Sequence, residues 1–271
     1  MNTVQNILVP CDFSKPALEG LYFAVELAAL TSGSITVLSV ISPQQQKDEP
    51  FVTAAFTRNF EDILTKFAPP VKVRHLIRSG KFVPTITDFI AEEAVDTVVI
   101  GTRGSRGWEG AFMGSNVEKL VRASPVPVFA IKGPTHLRHV KNVVFPCDLV
   151  LSDQYGISRL KALQEALGAR LHLLRIDTSG THDPRLLAER MHEYARFHGF
   201  SKFTVNVVTA PDEKDGILHF AREIGADMIA MTTHGTTDLN HLFMASIAAD
   251  VVNHAHLLTW TCVQQPVARL V

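Results

Sequence analysis

Only three cysteines occur in the 271 residues, Cys11, Cys147 and Cys262, and none forms a C-x-x-C pair. An odd, scattered set argues against a disulfide framework and against a cysteine-based structural zinc site. An excess of one charge is also missing. The formal net charge is -1, and residues 1–134 carry 13 basic and 13 acidic side chains against 13 and 14 in the remainder. With no basic excess to displace counterions from phosphates, nucleic-acid binding by bulk electrostatics is not expected. Apolar runs stay short of the roughly 18 residues that span a bilayer, so no membrane association is expected. The opening "MNTVQNILVP" has no basic region followed by a long apolar stretch, so no signal peptide is expected and the cytoplasm is the default location. Neither G-x-x-x-x-G-K-[ST] nor a kinase signature set occurs, which argues against efficient phosphoryl transfer.

What is present is an ordinary globular composition, 46% hydrophobic and 20% charged, enough to bury a full core. The length exceeds what one hydrophobic core usually organises. The sequence then repeats itself. "NILVPCD" at Asn6–Asp12 returns as "NVVFPCD" at Asn142–Asp148, and "DTVVIGTRG" at Asp96–Gly104 returns as "DMIAMTTHG" at Asp227–Gly235. Two matches in the same order, one domain length apart, predict a duplicated unit, with domains at 1–134 and 139–271 joined by a short connection near "GPTHLRH".

Within each copy, β-branched apolar runs alternate with segments of helical spacing. The first copy reads as strand "VQNILVP", helix from Ser14 to Gly33, strand "SITVLSVI", helix near Val52–Phe67, strand Val71–Arg78, helix Val83–Ala94, strand "DTVVIG", helix "SNVEKLVRA" and strand "VPVFAIK". The second copy follows the same order. Continuous apolar strands between helices imply a parallel sheet covered on both faces. The expected fold is α/β: two tandem doubly wound domains, each a five-stranded parallel sheet, with ligands bound beyond the strands' carboxyl ends.

One such carboxyl end leads into "GTRGSRGWEGAFMGSN", with the spacing Gly101-x-x-Gly104-x9-Gly114-Ser115 and a helix beginning at its end. Glycines let backbone approach a ligand, and a helix N-terminus offers unpaired N–H groups to an anion. Trp108, Phe112 and Met113 lie in the spacer, either as a lid or as packing for the next helix.

These features together resemble the universal stress protein family in its tandem two-domain form. The resemblance covers both halves and rests on "ILVPCDFS", the strand-loop-helix G-x-x-G-x9-G-S pattern and the β/α order. It implies a Rossmann-like fold of the adenine nucleotide alpha hydrolase type and a site for ATP, with or without Mg²⁺. By position, the resemblance places Pro10 and Asp12 by the nucleoside, Val40 at adenine through its backbone, and Ile100, Gly101 and Gly104 at the fourth strand end. Gly114, Ser115 and Asn116 fall at the phosphate turn, and Arg103 stands between two glycines, facing either phosphate or solvent. Asp12 has a plainer alternative as a cap for the following helix. The family pattern further implies that the closing strands of the two domains pair across a pseudo-twofold, with a homodimer as a further level of assembly.

In the second copy, the same register is read as replacing Gly101 by Met231 and Gly114 by Ala245, while Asp148 and Ser246 remain. A degenerate motif implies weak or absent ATP binding there and a role as pseudo-dimer partner, scaffold or site for another ligand. Eleven of the 12 histidines follow residue 135. His234, His241, His254 and His256 leave a divalent-metal site open, against the plainer reading as solvent-facing or structural residues. Cys11 and Cys147 share a repeat position, and burial at the strand end is the expectation for both. Function is therefore expected to be ATP binding in regulation. The rivals are a slow ATP hydrolase or phosphotransferase, which would need an oriented water and Mg²⁺, and a nucleotide-free interaction protein.

Overall fold

The computed structural model describes residues 4–102, 115–149, 154–233 and 239–263. The chain divides into two compact units, Met1–Leu137 and Arg138–Val271. Unit one runs β1 (Asn6–Pro10), α1 (Lys15–Thr31), β2 (Ser34–Ile41), a 3-10 turn (Pro43–Asp48), α2 (Glu49–Phe67), β3 (Val73–Ser79), α3 (Phe82–Glu92), β4 (Thr97–Gly101), α4 (Ser115–Ala123) and β5 (Val128–Ile131). Its strands lie in the order β3-β2-β1-β4-β5, all parallel. The chain leaves β1 in one direction and returns to its other side, so the topological switch falls between β1 and β4.

Unit two repeats this with β6 (Asn142–Pro146), α5 (Gln154–Leu167), β7 (Arg170–Asp177), α6 (Pro184–His198), β8 (Phe203–Thr209), α7 (Glu213–Glu223), β9 (Met228–Thr233), α8 (Leu239–His254) and β10 (Leu258–Val263). The order is β8-β7-β6-β9-β10, again parallel. Both units are α/β sheets with helices on both faces, as the alternation of apolar runs and helical spacing requires.

Each register is pinned at the amino ends of the strands by a repeated aspartate. The Asp96 carboxylate accepts from Gln5 N at 2.8 Å and Asn6 N at 2.9 Å. Asp227 accepts from Lys141 N and Asn142 N at 2.9 and 2.8 Å. The first strand of each unit thus starts beside the fourth, with buried side chains above: Leu8, Val9, Val98 and Val99 in one, Val143, Val144, Ile229 and Ala230 in the other. Phe23 of α1 and Phe129 of β5, both fully buried, meet at 5.4 Å between ring centroids.

The registers also correct the alignment of the glycine motif. Ile7 pairs with Thr97 and Leu8 with Val98, while Val143 pairs with Met228 and Val144 with Ile229. Counting along the strands from these matched pairs, Met231 is the counterpart of Ile100, and the residue standing for Gly101 is Thr232. Met231 is buried in the unit-two core with Val144, Ile229 and Ile247, so its long side chain points into packing and away from any ligand surface.

The missing side chain at Gly101 has a packing cause. A Cβ at that position would overlap the Pro16 carbonyl in the first turn of α1, and a Cβ on Gly20 would come to 2.7 Å from Gly101 N. The two glycines let the helix lie directly on the strand end; room for a ligand is not what position 101 needs its glycine for. Replacing Gly101 with alanine is expected to destabilise unit one by about 2 kcal/mol or more, with or without ligand, because the overlap is with backbone that cannot rotate away. Denaturant titration measures it, and a variant as stable as the unaltered chain would show that α1 and β4 do not approach this closely.

Candidate functional site

Where β1 ends, the chain makes a turn that both units share. Cys11 N donates to Leu38 O and Cys147 N to Leu174 O, each at 3.0 Å. Two residues on, Phe13 and Leu149 adopt φ of 61° and 67°, a left-handed conformation costly for a bulky side chain. This bend carries the chain sharply into the next helix. In unit one it leaves Asp12 exposed at the strand end, its Oδ1 accepting from Ser14 N at 3.0 Å. Asp12 thus closes a turn onto Ser14, the residue that opens α1, without capping the helix itself, and this engages one carboxylate oxygen.

Beside this turn, at the carboxyl ends of β1, β2 and β4, lies a cleft of about 480 Å³. Pro10, Asp12, Val40, Ile100, Gly101 and Asn116 all line it. Six residues singled out from the sequence are therefore brought together. Ser115 opens α4, while Arg103, Gly104 and Gly114, with Trp108, Phe112 and Met113, lie outside the described residues. Val40 sits two residues beyond Leu38, whose carbonyl is taken by Cys11 N on the β1 side. Alternate residues of a strand aim their backbone groups the same way. The Val40 N–H and C=O therefore point past the end of β1, while the intervening Ile41 carbonyl turns the other way and accepts from Gly80 N at 2.9 Å.

The cleft has further walls that the motif did not identify: Ser42 and Gln45 from the 3-10 turn, Phe56 from α2, and Gly80 and Phe82 at the start of α3. One of these was readable in advance, because Ser42-x-x-Gln45 after a strand is the spacing of a helix-start capping pair. Below the turn, Ser39 Oγ donates to Cys11 O at 2.7 Å and stands 3.0 Å from His75 Nε2. A hydroxyl carries one proton, so the imidazole N–H is the donor in the second bond. The His75 ring also packs against Phe13, at 5.5 Å between centroids, and Phe60, at 4.8 Å.

Burial pushes the Cys11 and Cys147 thiols up to about 12. Both are buried and free, which makes them strand-end packing residues with little thiolate for redox chemistry. His254 caps its own helix, Nδ1 lying 2.8 Å from Asp250 O. Among the described residues no group of three or more His, Cys, Asp and Glu could hold a metal ion. His234 falls outside them, as does the side chain of His241. Among the described residues, too, no helix is long and apolar enough to cross a membrane.

The corresponding strand ends of unit two carry different chemistry. Arg175 occupies the place of Ser39, and Glu213 opens α7 where Phe82 opens α3. Burial raises the Glu213 carboxyl above its ordinary value, with Arg175 opposing the rise and Asp148 and Asp212 adding to it. Beyond Ile176, the counterpart of Val40, Asp177 accepts from Ser179 Oγ at 2.7 Å and meets His182 Nδ1 at 2.9 Å. These contacts with His182, then Ser179, hold its carboxyl well below the usual range.

Burial also holds the His75 imidazole below its ordinary value of 6.5. The unfolded chain therefore takes up the proton first, and stability falls as pH drops from about 6.5 toward the lowered folded value, by at most about 1.4 kcal/mol per pH unit. Urea titrations between pH 7.5 and 5 of the unaltered chain and of His75→Gln test this. The expected result is a shallower pH dependence in the variant, and equal slopes would show that His75 does not titrate in that window.

The profile of the universal stress protein family matches residues 3–132 and 139–259. A universal stress protein of Synechocystis sp. is 24% identical over 163 residues, spanning 58% of this chain and 54% of its own length. The match thus spans about half of that relative. A second, from Methanocaldococcus jannaschii, is 24% identical over 149 residues, 49% of this chain and 85% of that one. Among solved structures, a universal stress protein from Archaeoglobus fulgidus superposes with a TM-score of 0.76 at 20% identity, covering 98% of this chain and all 100% of the other. A functionally unknown protein from Pseudomonas aeruginosa gives 0.68 at 17% identity, covering 96% and 93%. At such identities the structural likeness speaks for the fold. The profile, matching nearly the whole chain in two consecutive copies, speaks for descent, and the chain belongs to the universal stress protein family.

Proposed function

We propose that unit one is an ATP-binding module and that unit two, having lost nucleotide binding, acts as its partner within the chain. The observation that carries this reading is the cleft at the switch point. There an outward-facing strand backbone at Val40, a carboxylate at Asp12 and the N-terminus of α4 line one cavity of about 480 Å³, within the range of roughly 300–1,000 Å³ usual for small-molecule sites. In this reading the Val40 N–H and C=O meet the acceptor and donor of the adenine edge, and Phe56 and Phe82 flank the ring. The Asp12 oxygen not held by Ser14 accepts from a ribose hydroxyl. The phosphates run past Gly101 to the N-terminus of α4, where the N–H groups that open a helix, at Ser115 and Asn116, favour an anion. Arg103, Gly104 and Gly114 complete the phosphate cradle, and Mg²⁺, where bound, would neutralise phosphate charge.

Binding without rapid turnover fits the lining. Among its described residues only Asp12 and Cys11 ionise, and one is engaged by Ser14 N while the other is held as a thiol. Unit two lacks the same hospitality. Glu213 opens α7 where Phe82 opens α3, so a carboxylate near Asp148 stands where unit one offers an apolar flank to the base.

Nucleotide released from the denatured, purified chain should be ATP at one equivalent per chain, as read by anion-exchange chromatography. Two tightly held equivalents, or a chain that neither carries nor titrates with ATP, would sink the proposal. Asp12→Asn, which keeps an acceptor for Ser14 N, should weaken ATP by about tenfold in calorimetry through loss of a charged acceptor. Unchanged affinity would remove Asp12 from the ribose.

A further inference from the structure

The 3-10 turn after β2 presents a side chain that the nucleotide reading leaves unused. Gln45 lines the same cleft as Val40, Phe56 and Phe82. Its Oε1 is held by two donors, Ser42 N at 3.1 Å and Ser42 Oγ at 2.9 Å. A backbone N–H can only donate, so the atom it meets is the amide oxygen and the orientation of the amide is settled. Both acceptor directions of that oxygen are consumed by Ser42. What the amide can offer to anything in the cleft is the pair of N–H donors on Nε2.

We infer that Gln45 is a base-reading residue, whose Nε2 donates to a ring nitrogen of the purine that Val40 engages through its backbone. This rests on the assignment of unit one as an ATP site and adds a specificity contact to it. The chemistry is directional. A glutamine free to rotate its amide would accept or donate and so tolerate many heterocycles, whereas one held through its oxygen can only donate, and on adenine the acceptors that meet it are the unprotonated ring nitrogens. Purines present such acceptors at N3 and N7 in addition to N1. The turn carrying Gln45 starts at Ser42, two residues beyond Val40, so one short segment supplies both the strand backbone and the side-chain donor.

The test uses the full chain, unaltered and as Gln45→Met, titrated by calorimetry with ATP and with its 1-deaza, 3-deaza and 7-deaza analogues. The unaltered chain is expected to bind one of these analogues roughly three- to tenfold more weakly than ATP because one neutral hydrogen bond is lost, and Gln45→Met should show no such penalty for that same analogue. A penalty present in both proteins belongs to Val40 or another group. If all three penalties are the same with and without Gln45 while ATP still binds, the inference is overturned and the ATP site stands. A general loss of affinity in the variant, equal for ATP and every analogue, would assign Gln45 a role only in shaping the turn and equally overturns it. Failure of the unaltered chain to bind ATP would overturn both readings in the first titration.

Discussion

The contact between the first turn of α1 and the end of β4 decides where the rest of unit one lies. Nothing larger than hydrogen fits at Gly101 against the Pro16 carbonyl, nor at Gly20 against Gly101 N. With the helix start held there, the chain has only Cys11 to Ser14 in which to leave β1 and reach it. That short span includes the left-handed Phe13, the Ser14 N–H turned onto Asp12, and Asp12 itself, exposed at the cleft rim. The strain at Phe13 is offset by its ring contacts with Phe56 and His75. A packing constraint between a helix and a strand thus places the residues on which a ligand would depend.

Unit two keeps the framework and changes the surface. The aspartate clasp, the Cys–Leu backbone bond and the left-handed third residue recur at equivalent positions. All of them are interactions of backbone, or of side chains with backbone, at the amino ends and turns of the sheet. The side chains at the strand ends differ: Arg175 for Ser39, Glu213 for Phe82, Thr232 for Gly101. The backbone pairing of the sheet does not depend on the Ser39 and Phe82 positions, so they can diverge without loss of fold, whereas Gly101 in unit one is held by the packing of α1 on β4.

The fold was legible because its signals are local and doubled. Strands such as "NILVP" and "TVVIG" are apolar after their first residue, as strands covered on both faces must be, and each appears in two copies. Asp12, Val40 and Asn116 were legible by resemblance alone, since nothing in their spacing says that strand order brings them together. Phe56 and Phe82 were missed because they reach the cleft through the β2–α2 and β3–α3 connections, whose paths depend on tertiary packing, while the Ser42-x-x-Gln45 spacing signalled a turn but not its place in the cleft. Met231 was misassigned by a slip of one along the repeat: the matched runs Asp96–Gly104 and Asp227–Gly235 already set Thr232 against Gly101, and the pairing of Met228 with Val143 agrees with them.

The walls of the cleft differ in how firmly they are held. On the β4 side, Ile100 and its neighbours are buried and α1 rests on backbone. On the other side stands α2, a 19-residue helix with no buried residue, whereas its counterpart α6 buries Leu187, Met191, Tyr194 and Ala195. Helix stability in water comes mostly from packing an apolar face, so α2 is the element of unit one least opposed to displacement. Phe56 projects from it into the cleft, and the turn bearing Gln45 leads directly into it. A base seated against Phe56 would bury apolar surface that the helix lacks on its own, at a cost in ordering entropy. On the proposed reading, occupancy of the cleft and the docking of α2 would be thermodynamically linked: a ligand packed against Phe56 would stabilise the helix, and loosening the helix would weaken the site.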